Sequence, residues 1–139
     1  MRSLLEIARR EIDGITIFSL KGRLVAGEAS NSLRETVRQE LGTERSRVVL
    51  NLGGVDFIDS TGLGALVICF TSARKSGGAL KLAQLNKHNI QLLVLTKLST
   101  IFEIFQDEQD AVNSFFPERR TGQFDLLEFV KQSEEQPET

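Results

Sequence analysis

The chain has 139 residues with 40% hydrophobic and 26% charged side chains, a composition that is typical of one globular domain. Its single cysteine and single histidine exclude an internal disulfide, a cysteine cage for a metal ion and a multi-histidine metal centre. Its formal net charge of −2 argues against a nucleic-acid partner, because proteins of that class carry a surplus of basic side chains.

The first segment predicts a β-hairpin. Residues 4–10 and 15–21 are rich in strand-forming side chains and flank Asp13-Gly14, a common hairpin turn. Gly22 is expected to end the second strand, and residues 24–27 are expected to form a loop.

A helix and a buried strand are predicted next. Residues 28–41 place apolar side chains at every fourth position, which indicates one buried helical face, and Gly42 suits the helix end. The apolar run at residues 47–52 is typical of a central strand that is covered on both faces. Residues 55–58 are expected to form a turn that links this strand to the following helix.

A second helix is predicted over residues 62–75, with residues 59–61 at its start. Apolar side chains recur there at helical spacing, and two glycines follow as a stop signal. The next segment, residues 79–83, predicts another short strand.

The last elements of the chain are less regular. Asn86 is predicted to cap a helix that runs to about residue 95, and residues 100–105 fit either a strand or a turn. Residues 107–115 predict a final helix, and Pro117 closes it.

The order of these elements, ββαβαβα(β)α, alternates strands with helices and predicts an α/β domain with a mixed β-sheet. This domain is expected to span residues 1–117. Residues 118–139 are expected to form an extension with a short amphipathic segment at residues 124–130, followed by a disordered acidic end. No targeting segment and no stretch long enough to cross a bilayer stands out, so a cytoplasmic location without membrane insertion is expected.

The run LNLGGVDFIDSTGLG at residues 50–64 is the part of the sequence best suited to a function. Aspartate and serine oxygens accept hydrogen bonds from the unpaired N–H groups of a first helical turn, so Asp59 and Ser60 suit a helix start. A phosphate on Ser60 would lie near those N–H groups and the positive end of the helix dipole, which both favour anions. The alternative is that these residues only cap a helix.

Intrinsic catalysis is not expected, because no nucleophile has a suitable base beside it. The one histidine, His88, lies between polar neighbours and is expected to be solvated. The nucleophile-elbow pattern is absent around Ser60, and the Walker pattern is absent after Gly64. Cys69 lies in the apolar face of the second helix and is expected to be a buried hydrophobic residue. The sequence therefore predicts no catalytic residue, no metal and no cofactor.

The run VVLNLGGVDFIDSTGLG at residues 48–64 resembles the signature of the STAS domain family, and it is most similar to the stand-alone bacterial anti-sigma factor antagonists. The similarity covers residues 4–116 and includes the element order and the Gly-rich turn before the strand at residues 79–83. It implies a STAS-like mixed β-sheet with helices packed mainly on one face.

The resemblance also implies a protein-binding switch that phosphorylation controls. In this family, a partner that is both an anti-sigma factor and a serine kinase phosphorylates the serine that matches Ser60, and a serine phosphatase reverses the reaction. The unphosphorylated antagonist binds the anti-sigma factor and frees the sigma factor. Thr61 is a second, less favoured acceptor. The predicted partner-binding residues are Arg23, Leu24, Val25, Glu28, Asp59, Ser60, Thr61, Gly62 and Leu63.

One position departs from the family pattern. Val25 stands where many members carry an acidic residue, and Glu28 is the nearest candidate to supply that charge. The alternative function is a non-catalytic STAS scaffold or accessory subunit of a transport or signalling complex. Binding of a small ligand or nucleotide at the helix start is a third hypothesis, without a Walker motif to support it. A monomer or weak dimer is expected.

Overall fold

The computed structural model describes residues 5–42 and 46–119, which form one five-stranded sheet with four helices. The strands are β1 Leu5–Ile12, β2 Ile15–Leu24, β3 Arg47–Ile58, β4 Ala79–Ala83 and β5 Ile104–Phe105. The helices are α1 Glu28–Leu41, α2 Ser60–Lys75, α3 Lys87–Leu95 and α4 Glu108–Asn113, with a 3-10 turn at Leu98–Thr100. Strands β1 and β2 are antiparallel, and the other neighbours, in the order β2-β3-β4-β5, are parallel. The predicted α/β domain with a mixed sheet is therefore confirmed.

Three helices cover one face of the sheet. The apolar side chains that the sequence places at every fourth position of α1 are all buried, and they meet α2, α3 and the sheet in one large core. Leu50 of β3 and Leu66 of α2 are both fully buried there. Burial of each such side chain contributes roughly 1.5–3 kcal/mol, so this core is the main source of stability.

Helix α4 covers the opposite face in a smaller core. Ala111 and Val112 of α4 pack with Ile17 of β2 and Val49 of β3, all fully buried. Since Val49 and Leu50 point to opposite cores, β3 is covered on both faces, as predicted. The expectation that the helices lie mainly on one face is confirmed.

Strand β3 is longer than predicted, and the linking turn expected at residues 55–58 is wrong. The strand continues to Ile58 beside β2, and the register between the two strands shifts twice along the way. A Cβ atom at Gly54 would lie only 2.8 Å from the backbone oxygen of Leu20, so this glycine allows the two strands to approach closely. Strand β2 likewise runs through Gly22, at φ 119°, to Leu24, whereas an end at Gly22 and a loop from residue 24 were predicted.

The remaining boundaries are close to the prediction. Helices α1 and α3 and strand β4 have the predicted extents, and β1 runs two residues further than expected. The ambiguous residues 100–105 contain the end of the 3-10 turn and the two-residue strand β5. Helix α4 ends at Asn113, earlier than the predicted residue 115. The amphipathic segment at residues 124–130 and the acidic end lie outside the described residues, and the domain boundary at residue 117 stays a prediction.

Candidate functional site

The candidate site lies where β2 and β3 end and α2 begins. Leu24 and Ile58, the last residues of the two strands, are neighbours in the sheet. The Asp59 N–H, one residue further on, donates to the Leu24 oxygen at 3.2 Å. A Cβ atom at Gly62 would lie 2.1 Å from that same oxygen, which is far inside contact distance. Glycine at this position therefore allows the first turn of α2 to rest directly on the end of β2.

Asp59 joins two separate segments through its carboxylate. Its Oδ1 accepts from the N–H of Gly62 at 2.7 Å, which caps α2, and its Oδ2 accepts from the N–H of Ala26 at 2.9 Å. These two N–H groups, Ala26 first, hold the pKa of Asp59 below its usual value of 3.8, with smaller contributions from Thr61 and Arg23. Asp59 thus fixes the β2–α1 loop against the start of α2.

The two candidate acceptors of a phosphate, Ser60 and Thr61, are exposed on the first turn of α2. Among the described residues no hydrogen bond engages the Ser60 hydroxyl, so it faces solvent. The N–H groups beside it are partly in use already, because Gly62 donates to the Asp59 carboxylate and Leu63 donates to the Asp59 backbone oxygen at 2.9 Å. A phosphate on Ser60 therefore has fewer unpaired donors nearby than the sequence suggested.

The structure brings all nine predicted partner-binding residues to this end of the sheet. Arg23 and Glu28 are exposed and Val25 is half-buried, so their side chains are accessible to a partner. Leu24, Gly62 and Leu63 are buried and support the exposed residues of this surface. Their partner-binding role stays a prediction.

Sequence reasoning missed one residue at this surface. Phe57 was assigned to a linking turn, but it lies on β3 directly beside Arg23 of β2 and is 39% exposed. The Arg23 guanidinium carbon stands 5.5 Å from the Phe57 ring centroid. Recognising β3 as a strand that continues through Ile58 beside β2 would have placed Phe57 next to Arg23.

The other reactive side chains lie apart from this surface. Cys69 is buried within α2, and burial raises the pKa of its thiol to about 12. His88 is exposed on α3, as expected. No group of three His, Cys, Asp or Glu side chains in residues 5–42 and 46–119 is placed to hold a metal ion. No helix in the same part of the chain is long and apolar enough to cross a membrane.

Two curated relatives of this chain are both anti-sigma-B factor antagonists. The anti-sigma-B factor antagonist of Listeria monocytogenes is 35% identical over 108 residues, covering 75% of this chain and 90% of that protein. The anti-sigma-B factor antagonist of Bacillus subtilis is 32% identical over 91 residues, covering 63% of this chain and 84% of that protein.

Solved structures share the fold. A candidate anti-sigma factor antagonist from Thermotoga maritima has a TM-score of 0.68 at 26% identity, covering 78% of this chain and 92% of that one. The Bacillus cell fate determinant SpoIIAA in its phosphorylated form has a TM-score of 0.62 at 14% identity, covering 79% and 99%. A sulfate transporter family protein from Wolinella succinogenes has a TM-score of 0.64 at 20% identity, covering 76% and 87%. The family model for the STAS domain matches residues 6–111, and the chain belongs to the STAS domain family.

Proposed function

We propose that this chain is an anti-sigma factor antagonist that phosphorylation of Ser60 switches off. The unphosphorylated surface around Ser60 binds an anti-sigma factor that is also a serine kinase, and the bound anti-sigma factor releases its sigma factor. The observation that carries the proposal is an exposed serine on the first turn of α2. Asp59 caps this turn and joins it to the β2–α1 loop, at the point where two strands end. The names of the Listeria and Bacillus relatives support the same assignment.

In the proposed cycle this chain is the substrate of the chemistry. The kinase transfers the γ-phosphoryl group of ATP to the Ser60 Oγ, the hydroxyl proton leaves, and ADP is released. A phosphatase then uses water to restore serine and release inorganic phosphate. No described residue is placed to activate Ser60 as a nucleophile, so the catalytic groups belong to the partners.

The charge of the phosphate accounts for the switch. It adds about −1.5 to −2 at neutral pH, to a chain whose formal net charge is −2. The added charge stands next to the Asp59 carboxylate, on the surface that also exposes Thr61, Arg23 and Glu28. A partner that fits the unphosphorylated surface therefore loses affinity, because the phosphate must be desolvated or displaced.

Incubation with ATP and a serine-kinase-type anti-sigma factor from the same organism tests the proposal. Mass spectrometry is expected to find one phosphate on the wild-type chain and on Thr61→Ala, and none on Ser60→Ala. Because Ser60 is exposed, Ser60→Ala is expected to change stability by less than about 0.5 kcal/mol, so a missing phosphate does not reflect unfolding. Phosphorylation of Ser60→Ala at an undiminished rate would refute the assignment.

A scaffold or accessory subunit without a kinase cycle is the second candidate. The valine at position 25, in place of an acidic side chain, favours it, and the STAS fold also occurs in the Wolinella sulfate transporter family protein. Affinity purification of the full chain distinguishes the two functions. Recovery of transporter subunits supports the scaffold, and recovery of a kinase-type protein that phosphorylates Ser60 supports the antagonist.

A further inference from the structure

Arg23 and Phe57 form an exposed pair beside the proposed phosphorylation site. They are register partners at the ends of β2 and β3, and the guanidinium lies over the aromatic ring. Their sequence neighbours Leu24 and Ile58 are buried in the large core, whereas Arg23 and Phe57 are both exposed.

The Arg23 guanidinium has no carboxylate partner among the described residues. By contrast, Arg9, Arg10, Arg38 and Arg119 each form an ion pair with a carboxylate. The contact with Phe57 restricts the orientation of Arg23 while its N–H donors remain exposed. An oriented guanidinium with unused donors suits a bidentate contact with a carboxylate or a phosphate.

Arg23 is also close to Ser60 along the backbone. The Leu24 oxygen, one residue after Arg23, accepts the hydrogen bond from the N–H of Asp59, which precedes Ser60. The backbone N–H groups of Ala26 and Gly62 lower the pKa of the Asp59 carboxyl most, and the positive charge of Arg23 makes a smaller contribution. The phosphate on Ser60 would enter the same field with a larger negative charge.

We propose that Arg23, held over Phe57, binds a carboxylate of the anti-sigma factor when Ser60 is free and binds the phosphate when Ser60 is phosphorylated. This inference rests on the proposed function. Arginine and aromatic side chains carry a large share of binding energy at protein interfaces, so capture of Arg23 by the phosphate removes a contact that the partner needs. Arg23 and Phe57 are therefore specificity-determining residues for a partner with an acidic contact surface.

The phosphate contact is measurable without any partner. Phosphoserine is incorporated at position 60 during synthesis, and ³¹P NMR follows its second ionisation, normally near a pKa of about 6. We expect the midpoint to be lower in the otherwise wild-type chain than in Arg23→Gln, because the guanidinium favours the dianion. Arg74→Gln is the matched control, since Arg74 lies over Phe70 in an equivalent pair near the other end of α2. Equal midpoints in all three proteins would overturn the phosphate contact.

The carboxylate contact is measured by calorimetry with the same serine-kinase-type anti-sigma factor. Arg23→Gln is expected to weaken binding of the unphosphorylated chain by roughly ten- to a hundredfold, the value of a hydrogen-bonded charged contact. Phe57→Leu is expected to weaken it less, and Arg74→Gln is expected to leave it unchanged. Unchanged affinity of Arg23→Gln would overturn this contact. Equal affinity of the phosphorylated and unphosphorylated wild-type chains would instead contradict the proposed function, whatever the NMR result.

Discussion

Helices α2 and α3 begin with the same chemistry, and only one of them forms the candidate site. Asp59 accepts from the N–H of Gly62 at 2.7 Å, and Asn86 accepts from the N–H of Asn89 at 2.8 Å. At α3 the side-chain amides of Asn86 and Asn89 also donate inward to the Val55 oxygen, at 3.2 and 3.0 Å. At α2 the second oxygen of the cap residue instead accepts from the N–H of Ala26 in the β2–α1 loop. A helix cap alone is thus a common structural feature. The contacts around the Asp59 cap are what make the start of α2 a candidate site.

Gly62→Ala is expected to have the largest effect of any single change at the start of α2. The added Cβ would lie 2.1 Å from the Leu24 oxygen, so α2 must move away from β2. The loss of stability is expected to reach about 3 kcal/mol, the upper end of the range for overpacked sites, and urea unfolding monitored by circular dichroism measures it.

Gly64→Ala is the matched control for this change. It adds the same methyl group two residues later, where no atom lies within 4 Å of the new Cβ. Because alanine favours a helix interior, stability is expected to rise by up to about 1 kcal/mol. A similar change of stability in both variants would show that the contact with β2 does not explain the glycine at position 62.

Asn86→Ala and Asp59→Ala separate a structural cap from a functional one. Asn86→Ala removes the cap and one bond to the Val55 oxygen, and is expected to cost about 1–2 kcal/mol in urea unfolding without changing affinity for the anti-sigma factor. Asp59→Ala is expected to lower both stability and affinity, because it also releases the loop at Ala26. Equal affinities of the two variants would remove the distinction between the helix starts.

The pH dependence of stability is expected to be smaller than the effects of the Gly62→Ala change and of the two cap substitutions. The folded pKa of Asp59 is lowered, so its contribution is fully present above the unfolded value of 3.8 and is lost as pH falls through the folded pKa. Neutral Asn86 makes no such contribution at α3. The thermal midpoint of the wild type is therefore expected to fall more steeply below about pH 4 than that of Asp59→Asn. Parallel curves would show that the Asp59 carboxylate does not stabilise this helix start.

Glu40 and Glu108, whose pKa values are also lowered, titrate in both of these proteins. The informative quantity is therefore the difference between the two curves.

The sequence predicted correctly those elements whose extent is set by the residues within them. Helix α1 was predicted with its full extent because four apolar residues at regular spacing describe its buried face. The end of β3 was missed because Gly53-Gly54 is a turn signal when considered alone. In the structure, Gly54 instead lies within β3 beside β2, where the close approach of Leu20 requires a glycine.

The same limit applies to the candidate site. Ser60 and Asp59 were predicted from a motif that is contiguous in sequence. The bond from Ala26 to Asp59 spans 33 residues, and the pair of Arg23 with Phe57 depends on strand register. Such contacts follow from tertiary structure, which no local pattern contains.

The burial of Cys69 has a practical consequence for these measurements. It is the only cysteine of the chain, and burial raises the pKa of its thiol to about 12, so almost no thiolate is present near neutral pH. A new cysteine at an exposed position of α2, such as Thr71, would therefore react selectively with a maleimide dye. The native residue can remain in place, and a fluorophore on this helix can follow partner docking in real time without disturbing the core.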